Sequence, residues 1–264
     1  MRSLQGGGLC VSPMDCLKRK KTHLGSSNYW LQNHTDDTNV LSTGAFNPFA
    51  NWTHIFVPYG SGDLFIGTQR RPNLMGLYFA GHNTMEAVVS QLLNSTSLGS
   101  STHILLSGAS AGGIGTFQNA DWLHATLQSA GASPVLRAAP QAGAFFVHPD
   151  IVLFPEFTVH LSANFAAFAS SYLYAWFGAL SGGSDPFLDE SCMVANPHTP
   201  HQCWSAFHHY PYIQTPLFVA QNKFDSNQAG SVFGADWWPL PLGSGRHVAA
   251  KAAYVRYFGN KVIK

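Results

Sequence analysis

The sequence predicts an α/β fold: a mostly parallel sheet with helices on both faces. Three observations carry that expectation. Short apolar runs alternate with longer stretches of helical spacing, a Gly-x-Ser-x-Gly sequence joins one such run directly to one such stretch, and 264 residues suffice to bury a core. Apolar residues make up 45% and charged residues only 10%, against roughly 25% charged in an average soluble domain. That balance excludes a disordered chain. A formal net charge of +1 supplies no field for gathering nucleic acid or acidic lipid, so neither is expected as a partner.

The elements follow in order. Gly6 to Gly8, just before Cys10, read as a backbone-permissive loop, and Cys16 to Lys20 as a short helix ending near the turn residues Gly25 to Asn28. The basic run Lys18 to Lys21 reads as a solvated face. His54 to Tyr59 is a strand before the Gly60–Gly62 turn. Asn83 to Asn94 is a helix whose apolar face is Met85, Val88, Val89, Leu92 and Leu93. His103 to Leu106 is the next strand, followed by the Gly-Ser turn and a helix from Ile114 to about Ser129. Pro134 to Ala139 and Pro216 to Gln221 read as further strands, and Val248 to Phe258 as a final helix-like run. Between them, residues 150–211 form an aromatic-rich insertion, expected as a lid over a pocket. Leu161 to Leu180 has bilayer length and no charge, but its polar interruptions and missing Lys/Arg flanks favour a buried helix or lid over a membrane span. The whole, 1–264, is expected to be one partial domain.

The four cysteines fall into close pairs, Cys10 with Cys16 and Cys192 with Cys203, and no C-x-x-C occurs. Two local disulfides, and hence an oxidising compartment, fit better than a metal site. Sequons at Asn33, Asn51 and Asn94 agree with secretion. Met1 to Leu4 is no signal peptide, and a chain that enters its glycine motif by residue 6 is expected to lack its natural start.

The chemistry centres on Leu105-Leu106-Ser107-Gly108-Ala109-Ser110-Ala111-Gly112-Gly113. A strand, a sharp turn and a helix around Gly-x-Ser-x-Gly make a nucleophile elbow of the α/β-hydrolase kind, with Ser110 as nucleophile. Gly108 and Gly112 leave room where strand end and helix start converge. A serine hydroxyl needs a base and a third group to orient that base, in the chain order Ser, acid, His. Asp225, just past a buried strand, fits the acid position at the carboxyl edge of the sheet. Its rival Asp121 lies three turns into the elbow helix. Only His247 follows Asp225, and a helix N-terminal reading of it is equally natural. His103, His148, His208 and His209 precede the acid and read as surface or structural residues. The oxyanion donors are the amide of Ala111 and one from the Gly6-Gly7-Gly8-Leu9 loop, held still by a Cys10–Cys16 bridge.

Taken together, these residues resemble the pectin acetylesterase/Notum family of secreted serine carboxylesterases. The likeness runs from Gly6 to about Phe258. It rests on Gly6-Gly7-Gly8 with Cys10, Cys16-Leu17-Lys18-Arg19-Lys20 leading to Leu24-Gly25-Ser26-Ser27, Asn47-Pro48 and Asn51-Trp52. Leu77-Tyr78-Phe79-x-Gly81, the elbow, Ala142-Gly143 with Phe145-Phe146, and Thr215-Pro216-Leu217-Phe218 through Asp225 to Gln228 extend it. The resemblance implies ester hydrolysis through an acyl-serine, with no metal or cofactor. It implies Ser110 as nucleophile, Asp225 as acid, and the amides of Gly8, Leu9 and Ala111 as the oxyanion hole. Two departures stand out. Leu9 occupies the family's tryptophan position, and no cysteine follows Cys203, so the family's Ser-Cys-x-x-His base motif is expected beyond Lys264; His247 does not match it. The implied substrates are acetylated cell-wall polysaccharide or, alternatively, a fatty-acylated protein. A non-catalytic binding remnant is the third reading.

Overall fold

The computed structural model describes residues 2–10, 12–33, 41–145, 151–154, 157–159, 186–222 and 225. The run Leu161–Leu180, His148, His247 and the run Val248–Phe258 lie outside the described residues.

Four parallel strands make the main sheet: β1 (Arg2–Leu4), β2 (Ile55–Val57), β3 (His103–Ala109) and β4 (Val135–Gln141), ordered β2-β1-β3-β4. The first strand precedes the glycine loop, in residues for which the sequence predicts no element. Arg2-Ser3-Leu4 pairs with Ile55–Val57 on one side and with Leu106–Gly108 on the other. Three residues carry no readable periodicity, so only the two flanking ladders reveal the strand. Beyond β4, the expected strand at 216–221 lies parallel to it. Phe218 N–H donates to the Ala138 carbonyl (2.8 Å) and Ala220 N–H to that of Pro140 (3.0 Å).

Strand alternation sorts the core. Ile104 and Leu106 of β3 face the main cluster with Leu4, Val57, Leu136 and Ala138. Helix α3 (Ala111–Ser129) buries Ala120, Leu123 and Leu127 in it, and α2 (Gly81–Ser95) buries Met85 and Val89. Leu105 points the other way, against Leu41, with Phe49, Trp52, Phe56 and Ala139 beside it. Among the described residues that second face is covered by the turn-rich stretch 41–52.

Helix ends follow local chemistry. Helix α1 (Pro13–Arg19) starts earlier than expected, because Ser12 caps it: the Ser12 hydroxyl accepts from Asp15 N–H (3.1 Å), and proline occupies the first turn. Helix α2 has no cap of its own. The buried Asp63 carboxylate, from a distant loop, accepts the Gly81 N–H at 2.7 Å. Residues 186–212 fold back on α3. Leu188, Cys192, Cys203 and Trp204 join the main core, and Gln118 of α3 donates to the Cys203 carbonyl at 2.8 Å. Ile151–Phe154 and Phe157–Val159 pair as an antiparallel hairpin, β5 and β6. Both disulfides form as expected, Cys10–Cys16 and Cys192–Cys203.

Candidate active site

Ser110 sits where β3 ends and α3 begins, with φ 55° and ψ −117°. A non-glycine residue in that conformation is strained by about 1–3 kcal/mol and persists only when its surroundings dictate it. They do. The Ser110 N–H donates to the Gln141 carbonyl (2.9 Å), and its own carbonyl accepts from Ile114 N–H (3.0 Å). A Cβ on Gly112 would lie 2.1 Å from the Leu4 carbonyl oxygen, and one on Gly108 would lie 2.3 Å from that of Gly112. The two glycines are what let β1, β3 and α3 meet at this point. Ser110 holds the N-cap position of α3, yet its side chain makes no capping bond. A serine there ordinarily spends its hydroxyl on the helix; this backbone turns the hydroxyl away from that role.

The glycine loop comes straight from β1 to the elbow. A Cβ on Gly6 would stand 2.6 Å from the Ala109 carbonyl oxygen and 3.3 Å from the Ser110 Cβ. Gly8 is exposed, and no acceptor among the described residues takes the N–H of Gly8, Leu9 or Ala111. The carbonyl sides of the same loop are engaged. Arg19 Nη2 donates to the Gly7 carbonyl (2.5 Å), and the Tyr59 hydroxyl donates to that of Gly8 (3.0 Å). Cys10 N–H bonds the Gly62 carbonyl (3.0 Å), and the Cys10–Cys16 bridge ties the loop to α1.

Asp225 lies at the same edge. Gln141 continues the Ala109 level of β3 through β4 to Ala220, and Asp225 follows five residues later. It is buried, and Gln221 Nε2 donates to its carboxylate at 2.9 Å while Gln221 Oε1 accepts from Ala144 N–H (3.0 Å). Asp121 is occupied elsewhere, accepting the backbone N–H groups of Gln214 (2.8 Å) and Thr215 (2.7 Å).

Three of the described histidines, His103, His209 and His82, have places of their own. His103 starts β3, so about 20 Å of strand separates it from the elbow. His209 is fully buried, its Nε2 3.6 Å from Asp189; burial opposes that carboxylate's charge, but His209, Ser191 and the Cys192 amide outweigh it and hold its pKa below the usual range. His82 stacks on Phe187 and meets Asn119 at 2.8 Å, and burial pushes its pKa down. Among the described residues, no three His, Cys, Asp or Glu side chains converge as a metal site, and no helix is long and apolar enough to cross a membrane. The asparagines of the three sequons, Asn33, Asn51 and Asn94, are exposed.

Sequence reasoning missed Arg19, Tyr59, Gln141 and Gln221. Arg19 hides in a basic run that otherwise faces solvent, and Tyr59 reads as the end of a strand. Their contacts cross the chain, and no local pattern announces them.

A parallel sheet with a strained serine on a strand–turn–helix, and a glycine loop laid beside it, defines the chain as α/β-hydrolase-like. Within that class it belongs to the pectinacetylesterase family, whose pattern residues 1–236 match. Pectin acetylesterase 7 of Arabidopsis thaliana is 26% identical over 272 residues, an alignment covering 99% of this chain and 64% of that protein. The palmitoleoyl-protein carboxylesterase Notum of Schmidtea mediterranea is 26% identical over 242 residues, with coverage of 85% and 42%. Two crystal forms of the Wnt deacylase Notum from Drosophila share the fold. One has TM-score 0.76 at 22% identity, covering 99% of this chain and 70% of that one. The other has TM-score 0.75 at 25% identity, with coverage of 98% and 70%. The chain spans less than two-thirds of the length of these curated relatives.

Proposed function

We propose that the protein is a secreted serine carboxylesterase that removes acetyl groups from cell-wall polysaccharide. The observation that carries this reading is the strained Ser110, its hydroxyl uncommitted to the helix, with the Gly6 backbone against its Cβ. In this reading the Ser110 oxygen attacks the ester carbonyl carbon while a histidine takes the hydroxyl proton. The amides of Gly8, Leu9 and Ala111 bond the oxyanion that forms. The histidine then returns the proton to the leaving sugar oxygen, and the C–O bond breaks. Water attacks the acyl-serine by the same route in reverse, releasing acetate and the free serine. Asp225 holds the histidine in the required tautomer and stabilises its cation. Within these 264 residues chain order leaves His247 for the base; the family's Ser-Cys-x-x-His motif is the other source. Ester hydrolysis by the 264-residue chain that His247→Ala abolishes assigns the base to His247.

The membership of the family and the likeness to pectin acetylesterase 7 over nearly the whole chain support the acetyl substrate. The likeness to Notum proteins favours a second reading, a fatty-acyl esterase acting on a protein. Hydrolysis of p-nitrophenyl acetate and octanoate by the purified chain, beside Ser110→Ala, tests both. The first reading expects acetate release that Ser110→Ala abolishes. Cleavage of the octanoyl ester alone transfers the case to the second reading. Binding of either ligand class with no turnover would leave the non-catalytic remnant standing.

A further inference from the structure

The Gly7–Gly8 and Gly8–Leu9 peptides are held from behind. In a planar trans peptide the carbonyl and the following N–H point in opposite directions, so whatever fixes the one aims the other. Arg19 Nη2 takes the Gly7 carbonyl at 2.5 Å, and that fixes the Gly8 N–H. The Tyr59 hydroxyl takes the Gly8 carbonyl at 3.0 Å, and that fixes the Leu9 N–H. We propose that Arg19 and Tyr59 are positioning residues that aim the two loop amides at the oxyanion, one residue per peptide.

The partners are themselves locked. Arg19 also donates Nε to the Leu24 carbonyl (2.9 Å), so the guanidinium bridges two carbonyls in one plane. It lies over the Tyr59 ring, 5.3 Å from its centroid, which couples the two. The Tyr59 hydroxyl oxygen accepts from Leu64 N–H at 2.7 Å, so its own proton is committed to the Gly8 carbonyl. Burial first, and then the Asp63 charge, push the phenol's pKa up and keep that proton in place. The Tyr59 N–H, in turn, donates to Gln5 Oε1 (2.8 Å), one residue before the loop. Arg19 reaches Gly7 from a helix whose Cys16 is bridged to Cys10, on the far side of the same loop. This clamp engages both carbonyls, and among the described residues no acceptor takes either amide.

The proposal rests on the esterase reading, and its test keeps the two apart. Kinetics on p-nitrophenyl acetate compare the unaltered chain, disulfides formed, with Tyr59→Phe, Arg19→Gln and Arg19→Lys. Removing one oxyanion donor costs about 100- to 1,000-fold in kcat, and misaiming one should cost about 10- to 100-fold. The expected result is that loss in Tyr59→Phe and Arg19→Gln with KM within about twofold, and partial recovery in Arg19→Lys, which retains one charged donor. A kcat within about threefold of the parent in both Tyr59→Phe and Arg19→Gln, or a loss confined to KM, overturns the proposal. If Arg19→Gln does not fold, the near-isosteric Tyr59→Phe and the Arg19→Lys variant decide. A parent chain inert toward esters sinks the esterase reading alone. The positioning is then read by NMR: shifted, faster-exchanging Gly8 and Leu9 amides in Tyr59→Phe support it, and unchanged resonances overturn it.

Discussion

Asp121 and Asp225 are the two carboxylates from which a catalytic acid is to be chosen, and removing each should have opposite consequences. Asp121 accepts two backbone N–H groups where the chain enters the strand at 216–221. The bond to Gln214 is exposed and contributes about 0.5 kcal/mol, while the bond to the buried Thr215 contributes about 1.5 kcal/mol. Asp121→Ala should therefore cost about 2 kcal/mol, lowering the urea midpoint by about 1 M at an m-value near 2 kcal/mol/M. Its kcat at low temperature should stay within about threefold of the parent, because three turns of α3, about 15 Å, separate it from Ser110. Asp225→Asn keeps an acceptor for Gln221 and should change stability by less than about 1 kcal/mol. Its kcat should fall by about 10⁴-fold, because an amide cannot hold the base in its working tautomer. Urea unfolding followed by fluorescence, beside ester hydrolysis, reads both axes. If Asp121→Ala loses activity without losing stability, or Asp225→Asn keeps its kcat, the assignment of the two carboxylates is wrong.

Three further outcomes are expected. Gly112→Ala drives a methyl group to 2.1 Å from the Leu4 carbonyl, and since backbone yields less than side chain it should cost about 3 kcal/mol, measured by denaturant unfolding; a cost below about 1 kcal/mol would mean that β1 moves freely. Burial lowers the pKa of His82, so below its ordinary value of 6.5 the unfolded chain takes up a proton that the folded chain refuses. Stability should fall as pH drops through 6.5, and His82→Gln should reduce that slope, leaving the part due to His208, whose pKa burial also lowers. Replacing Cys192 and Cys203 together by alanine opens a loop of separation 11 and should cost about 2–3 kcal/mol, visible as a lower Tm under non-reducing conditions only, with the parent falling to match once reduced.

What the sequence discloses divides by the range of the interaction involved. The elbow is local: a turn that brings strand end against helix start demands small residues at Gly108 and Gly112, and those letters stand in the string. The disulfides are local too, separated by 6 and 11 positions. Pro216 to Gln221 is legible as a short apolar run bounded by turn residues, although it is only partly buried and Phe218 is 74% exposed. Strand β1 is not, since its three residues gain their strand character from Ile55–Val57 and Leu106–Gly108, both more than 50 positions away. The same holds for Arg19, whose neighbours Lys18, Lys20 and Lys21 are exposed, and for Asp63, whose burial follows from its bonds to Gly81 and Phe65. The early start of α1 was legible in principle from Ser12-Pro13, a cap and a proline at the first helical turn.

Strand β1 is the element on which the candidate site turns. Its Leu4 carbonyl fills the space that a side chain on Gly112 would need, and two residues later Gly6 lies against Ala109 and Ser110. Ser110 and the glycine loop are thus registered by two adjacent strands in backbone contact. Backbone in a hydrogen-bonded sheet holds position far better than a rotameric side chain, and catalytic groups tolerate only about 0.5 Å of error. The strain at Ser110 is sustained by the same contacts, through the Gln141 carbonyl on the next strand over. Leu9 packs partly buried against the main core, and altering its side chain leaves its amide in place. A frame built from backbone and absent side chains lets neighbouring side chains change while Ser110 and the loop amides keep their places.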